Sequence, residues 1–506
     1  MSGSSAAPSE RAYRVAITLE LLAIVKHDCP VCDQVLPALD AAGTRLVSQS
    51  TAQQTAEQVT RLSLTRTPEL DAELALSERL DPDAVPALFL LADGDERDRV
   101  IGLDRERMTA LATAAGVSLA LDGLPALRPG CASRTRDPEV AARLAARRAR
   151  REGRIRAREL SLGELEDPIE ALHERGVTDG LPVVPPTPER VVAMLAHSSR
   201  GAQDIVAEVP PYGGVATVEK VAINAVMAGC AGPELPLVLA ALQAACREPF
   251  ALHGLIATTA PAGPVVIVSG PYAQHAQMNA HGNALGQGNR ANSTVGRALQ
   301  LTIRNLGGGR PGREDRAAHG SPAKLGFAFP ERRDETAPWP GLAHSRIELG
   351  PDETGVTVFA GEAPRLVIDQ LAREPEALAA SLAAGLESVA STRVRLAWDA
   401  MLVIGPEHGR VFREAGWSRE RLQQELFART RSPAGSLVRG AGGIAEGLAP
   451  EWVSDPDALV PKFPAADRIL IAYTGGDAGL FSMVIGGWVS GAVGSEPQSV
   501  SVEPWR

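Results

Sequence analysis

Two cysteines three positions apart, in His27-Asp28-Cys29-Pro30-Val31-Cys32, carry the first chemistry this sequence offers. The thiolate, not the thiol, attacks disulfides and binds metals, so the surroundings of each sulfur decide what such a pair does. The β-branched and apolar run 13–26 reads as a strand and 33–43 as a helix, which sets Cys29 at a helix N-terminus. There the helix dipole and the free backbone N–H groups lower a thiol's pKa. Cys29 is expected to be the exposed attacking thiolate, and Cys32, one turn on, the thiol that resolves a mixed disulfide. His27 either tunes the pair or is incidental. Half a zinc site has the same spacing, but no second Cys-x-x-Cys or His pair completes one, so no metal ligands are assigned and metal use is left open.

Three further cysteines are placed by their neighbours. Cys131, in Arg128-Pro129-Gly130-Cys131-Ala132-Ser133-Arg134, reads either as a reactive thiol in an electropositive loop or as a plain exposed one. Cys230 ends a helix at Gly229-Cys230-Ala231-Gly232-Pro233, where a second catalytic thiol competes with simple packing. Cys246 sits on an apolar helical face and reads as core.

Polar chemistry concentrates in the Gly/Asn-rich loop 279–293, which runs straight into a helix expected over 293–306 and capped by Asn292 or Ser293. Glycines let backbone N–H groups converge, and a helix start favours an anion. His281, Asn283, Asn289, Arg290, Asn292 and Arg297 are the candidate substrate contacts. The competing reading is a structural loop whose asparagines satisfy their own backbone. Glu407 and His408 follow the strand 401–404, at the end of a strand where α/β sheets bind ligands. His408 is the acid/base candidate, against a satisfied structural histidine.

The elements that must position these groups alternate between α and β. Residues 13–115 read as strand–helix–strand–strand–helix, with the buried strand 85–91, a turn at 92–95 and a returning strand near 100. Leu181-Pro182-Val183-Val184-Pro185-Pro186 is extended by its prolines. Beyond it come helices 218–228 and 235–246, strands 264–269 and 355–359, helices near 365–390, strand 401–404, helix 418–428 and strand 468–473. The expected organisation is a first domain over 1–125, a basic helical linker over 126–175 and a larger α/β or α+β domain over 176–506, with two lobes left open.

Composition sets the limits. The chain has 506 residues, 44% of them hydrophobic and 22% charged, which supports soluble multidomain cores. Its net charge of -10 argues against nucleic-acid or anionic-membrane binding. Met1–Arg11 lacks an apolar core for secretion, and five cysteines make no disulfide scaffold. A reducing cytoplasm is the expected location.

Residues 13–118 resemble the thioredoxin/glutaredoxin group. Cys29-Pro30-Val31-Cys32 looks more like glutaredoxins, because the Trp that thioredoxins carry before the first Cys is missing. The resemblance implies a cis-proline at Pro86, in Val85-Pro86, standing opposite the dithiol and helping to hold an extended substrate. From about residue 176 onward the chain resembles bacterial proteins of the UGSC (seleno)protein family. The matching stretches are Thr178–Thr187, Ala222–Cys230, the 282–309 loop and helix, and Gly405-Pro406-Glu407-His408. The family is named for a selenocysteine-Gly-Ser-Cys motif; the nearest string here is Gly130-Cys131-Ala132-Ser133, in a different order.

The function expected from all this is a thiol-dependent oxidoreductase. Its dithiol passes electrons, or a sulfur-linked intermediate, to a small anionic substrate in the larger domain, and a cellular thiol is the reductant. The dithiol is the redox group and no other cofactor is expected; a homo-oligomer is left open. Two alternatives stand beside it: a lyase or transferase that makes or breaks a C–S bond, and a non-catalytic binding or assembly protein.

Overall fold

Leu21–Val25 are all buried, and that continuous apolar run forms the middle of the first sheet. In the computed structural model, which describes residues 18–163, 165–439, 446–491 and 494–506, this strand is β1 (Leu19–Val25). Residues 13–17 of the expected strand lie outside the described residues. Next come α1 (Pro30–Ala41), β2 (Arg45–Ser48), α2 (Ala52–Leu62), the short β3 (Glu69–Leu70) and α3 (Ala75–Leu80). β4 (Ala84–Val85), β5 (Ala87–Ala92), β6 (Asp95–Ile101), β7 (Leu103–Asp104) and α4 (Arg105–Ala114) complete the layout. The sheet order is β3-β2-β1-β5-β6, with β1 parallel to β2 and antiparallel to β5. The sequence reading passed over β2–α3, although Thr51 and Gln54 form a capping box that starts α2.

Three more elements belong to this region: β8 (Leu127–Arg128), β9 (Cys131–Ala132) and the basic helix α5 (Pro138–Arg151). β8 pairs with β7, and β9 with β4. α5 does not stand free in solvent as expected of a linker. Val140 and Leu144 are buried with Leu74, while Arg147 and Arg148 pair with Glu78 at 2.9 and 3.3 Å. The chain divides into two units, Met1–Arg148 and Ala149–Arg506, so the division falls inside this helix.

The second unit opens with α6 (Pro168–Glu174), α7 (Pro188–Leu195), the hairpin β10 (Ile205–Val209) and β11 (Gly214–Thr217), then α8 (Val218–Ala228). Thr217 caps α8 and Gly229, at φ 90°, ends it. α9 (Leu235–Ala245) is apolar but for Gln243 and lies in the core, followed by α10 (Leu252–Ala257). Then come β12 (Gly263–Ser269), α11 (Tyr272–His275), α12 (Arg290–Thr302), β13 (Phe327–Pro330) and β14 (Gly355–Ile368). α13 (Pro375–Glu387), β15 (Trp398–Ile404), α14 (Pro406–Glu414), α15 (Arg419–Arg429), β16 (Arg431–Pro433), β17 (Leu459–Pro461), β18 (Ile469–Tyr473), β19 (Phe481–Val489) and β20 (Gln498–Ser501) follow.

One seven-stranded mixed sheet, β13-β12-β14-β19-β15-β18 with β20 on β14, joins what the sequence left open as two lobes. β14 makes this continuity. Its first half pairs with β12 and β20, and its second with β19. The changeover is at Gly361, where a Cβ would sit 2.9 Å from the Ile485 side chain. Residues 365–368, expected to be helical, therefore extend this strand. The protein is a mixed α/β chain. Among the described residues no single helix is long and apolar enough to cross a membrane; the bent pair Gly232–Ala245 and Glu248–Ala257 reaches that composition only together.

Candidate functional site

Cys29 is the N-cap of α1, with extended backbone angles (φ −126°, ψ 103°) and Pro30 in the first helical position. Its sulfur accepts the amide N–H of Cys32 at 3.1 Å, taking the place a Ser or Asp oxygen holds at an ordinary cap. The Cys32 thiol, hydrogen-bonded to it, and the Cys131 thiol bring the Cys29 pKa down to about 6, against burial that opposes ionisation. Cys32 is 0% exposed, and burial followed by the neighbouring Cys29 thiolate pushes its pKa well up. The pair is thus split into one thiolate and one thiol. His27 bonds Ser50 Oγ through its backbone N–H (2.8 Å), and its ring stands 3.7 Å from Glu57.

The Val85–Pro86 peptide is cis, and the Cys29 sulfur lies 3.3 Å from the Val85 carbonyl oxygen, to which the protonated thiol donates. Here the structure corrects one expectation. Cys29 is 1% exposed, not open. The segment 127–133 covers it, because Cys131 pairs with Val85 and Ala132 with Ala84. Gly130 permits the approach: a Cβ there would lie 2.8 Å from the Val85 oxygen. Beyond the pairing, Gln49 fastens the segment by donating to Ser133 Oγ (2.8 Å) and accepting the Arg134 amide (3.0 Å). Cys131 is half-buried; burial, then the Cys29 sulfur, raises its pKa, while the Val31 N–H opposes the rise. Its flanking arginines do not make it a thiolate.

In the second unit the predicted residues fall out differently. Cys230 is buried, its S–H donates to the Thr294 carbonyl (3.6 Å), and burial holds its pKa well above the usual thiol value. Burial alone pushes Cys246 up to about 12, and it packs on the core as expected. His408 is fully buried with both ring nitrogens engaged, Nδ1 with Ser482 Oγ (2.8 Å) and Nε2 with the Asp369 carbonyl (3.0 Å); burial lowers its pKa. It is a structural histidine, with no nitrogen free for proton transfer. Glu407 stands in the first turn of α14, beside it.

α12 begins three residues earlier than expected, capped by Asn289, whose Oδ1 accepts the Asn292 N–H at 2.9 Å. The loop asparagines bind the loop itself. Asn292 donates to the Asn279 and Ala284 carbonyls (2.8 Å each) and accepts the Asn279 N–H (3.0 Å). Asn289 reaches the Gln277 carbonyl at 2.9 Å, and Asn283 the Gln287 carbonyl. Arg297 grips Asp179 through two bonds of 2.7 and 2.8 Å and donates to the Pro182 carbonyl at 2.9 Å, while Arg290 donates to the Gly229 carbonyl at 2.7 Å. The expected anion cradle is therefore a self-satisfied loop, because its carbonyls need donors and the nearest ones are its own side chains.

A cavity of about 340 Å³ does open beside this junction, lined by Leu181, Leu285, Phe327, Ser293 and Arg297 among others. His281 lies elsewhere, in a cavity of about 280 Å³ with Glu331, Arg332 and Arg333, where β12 and β13 end. The sequence reading missed Glu331. It is buried, accepts Ser269 Oγ–H and the Leu342 N–H (2.5 Å each) and the Tyr473 N–H (3.3 Å), and its pKa is raised by burial. Pro330-Glu331-Arg332-Arg333-Asp334, a charged string straight after an apolar strand, was the available signal.

Part of the chain is similar to the crystal structure of StoA from Bacillus subtilis, with 22% identity over 19% of this chain and 82% of that one and a TM-score of 0.17. No protein family and no curated protein matches the chain.

Chemically, the first unit holds two sulfurs in one core and a third packed against it, with Cys29 ionised near neutral pH. Among the described residues no group of three or more His, Cys, Asp or Glu side chains is arranged to hold a metal ion.

Proposed function

We propose that this protein is a thiol–disulfide oxidoreductase whose first unit is thioredoxin-like. The observation that carries the reading is the sulfur of Cys29 serving as the N-cap of α1, with its pKa brought down to about 6. The Cys29 thiolate attacks an external disulfide and releases one thiolate. Cys32 then attacks Cys29, releasing the second, and the two electrons of the dithiol end on the former disulfide. A cellular thiol re-reduces the pair, in a reducing compartment such as the cytoplasm. The second unit is the substrate-bearing part of this reading. Its small substrate would lie in the cavity beside α12, against Leu181, Leu285 and Phe327.

The test uses the reduced full-length chain and oxidised glutathione. One disulfide consumed per chain and a Cys29–Cys32 cross-link in peptide mass spectra are expected, and Cys29→Ser is expected to lose both. Unreacted wild-type thiols, or an equally reactive Cys29→Ser, would overturn the reading.

A further inference from the structure

We propose that Cys131 is a third redox thiol, which closes a disulfide with Cys29 in competition with Cys32. This rests on the thiol-exchange reading above and adds a second internal partner for the same thiolate. Strand pairing places it there. Val85, whose carbonyl oxygen lies 3.3 Å from the Cys29 sulfur, is the direct cross-strand partner of Cys131. Such antiparallel partners stand about 4.5–5.5 Å apart at Cα. Cys29 and Cys32 belong to one apolar cluster, and Cys131 packs against it. The segment carrying Cys131 is clamped by β7–β8 pairing on one side and by Gln49 on the other, so the sulfur is held and not merely passing. Cys131 is also the most open of the three, since Cys29 and Cys32 are both buried.

The electrostatics agree. In the resting state the Cys29 sulfur is one cause that keeps Cys131 protonated, and the Cys131 thiol in turn helps Cys29 ionise. Once Cys29 is bonded to a substrate sulfur its negative charge is gone, which leaves burial as the cause still opposing Cys131 ionisation and makes the thiolate easier to form. Cys29 attacks R–S–S–R′, forming Cys29–S–S–R and releasing R′–S⁻. Cys131, having lost its proton to water, attacks the Cys29 sulfur, the bond to R–S breaks, and R–S⁻ leaves. Two electrons pass from Cys29 and Cys131 to the external disulfide, and both released thiolates take protons from water. Cys32 can then attack Cys29, moving the disulfide inward and restoring Cys131 as a thiol.

Cys32→Ser, with Cys32→Ala as a second variant suited to the apolar surroundings, removes the competing partner. Each reduced variant is treated with oxidised glutathione, quenched with iodoacetamide and mapped by mass spectrometry, with circular dichroism as the check on folding. A Cys29–Cys131 cross-link is expected, with the glutathione adduct at Cys29 decaying at least about tenfold faster than in the corresponding double variants with Cys131→Ser, the distance of a single decade in rate. Equal adduct lifetimes with and without Cys131, in variants that fold, would overturn the proposal. That outcome is distinct from failure of the parent reading, in which the wild-type chain itself forms no disulfide.

Discussion

The N-cap of α1 is a cysteine sulfur, and that of α12 is an asparagine oxygen. α1 and α12 each follow a loop, and each start is capped by a polar side-chain atom that accepts an N–H from within the first turn, Cys29 from Cys32 and Asn289 from Asn292. At α1 the capping atom is itself the reactive one, so the dipole and the N–H stabilise an anion that belongs to the protein. At α12 the cap is a neutral amide, and the nearby arginines hold Asp179 and the Gly229 carbonyl instead of an anion. A helix start is an anion site only when its donors are left over. At α1 the anion is built in; at α12 the donors are already spent.

The largest effect that would break this contrast is in labelling rates. At pH 7 Cys29 is mostly thiolate, whereas Cys246, pushed up to about 12, is almost wholly thiol. Allowing for the lower nucleophilicity of a low-pKa thiolate, Cys29 should alkylate about a hundredfold faster. Its rate should rise as pH passes about 6 and then level, because the thiolate forms on the alkaline side of its pKa. Equal rates for the two residues in an iodoacetamide pH series would remove the distinction.

Next in size is the ion pair of α12. Burial pushes the Asp179 carboxyl up, but Arg297 more than offsets it and holds the group below the usual carboxylate value. Arg297→Ala leaves that carboxylate partly buried and unpaired, at a cost of about 2–3 kcal/mol in urea unfolding. The sign follows from the lowered pKa: the pair's contribution is present at neutral pH and is lost as pH falls through the folded value. The variant should therefore show a flatter loss of stability in acid. A variant as stable as wild type, with weakened binding of a small anion, would return Arg297 to the substrate.

The smallest effect concerns the cap. Asn289→Ala should destabilise the second unit by about 1 kcal/mol, the usual worth of an asparagine N-cap. Arg290→Ala, which removes one exposed bond to a carbonyl, should stay within about 0.5 kcal/mol, as surface changes generally do. A larger loss at Arg290 than at Asn289 would mean that the loop leans on the arginine more than on its own amides.

Much of the first region was legible because its signals are local. A strand, a Cys-Pro step and a helix over fewer than thirty residues already put a thiol at an N-cap, and the Thr217 and Gly229 ends of α8 were equally readable. The extension of β14 through Ile368 was not, because its second half is a strand only by virtue of pairing with β19, more than a hundred positions away.

What the sequence determined by itself is therefore the capping sulfur, the second thiol Cys32 one turn further on and the alternation of helices with strands, all of which arise from side chains acting on backbone within a few residues. What only the tertiary structure decided is which groups are taken. Cys131 reaches Cys29 across a strand pair, Asp179 occupies Arg297 from 118 positions away, and His408 gives both nitrogens to Ser482 and Asp369. A donor's availability depends on every partner the fold brings near it, and that is a property of the packed chain and not of any stretch of it.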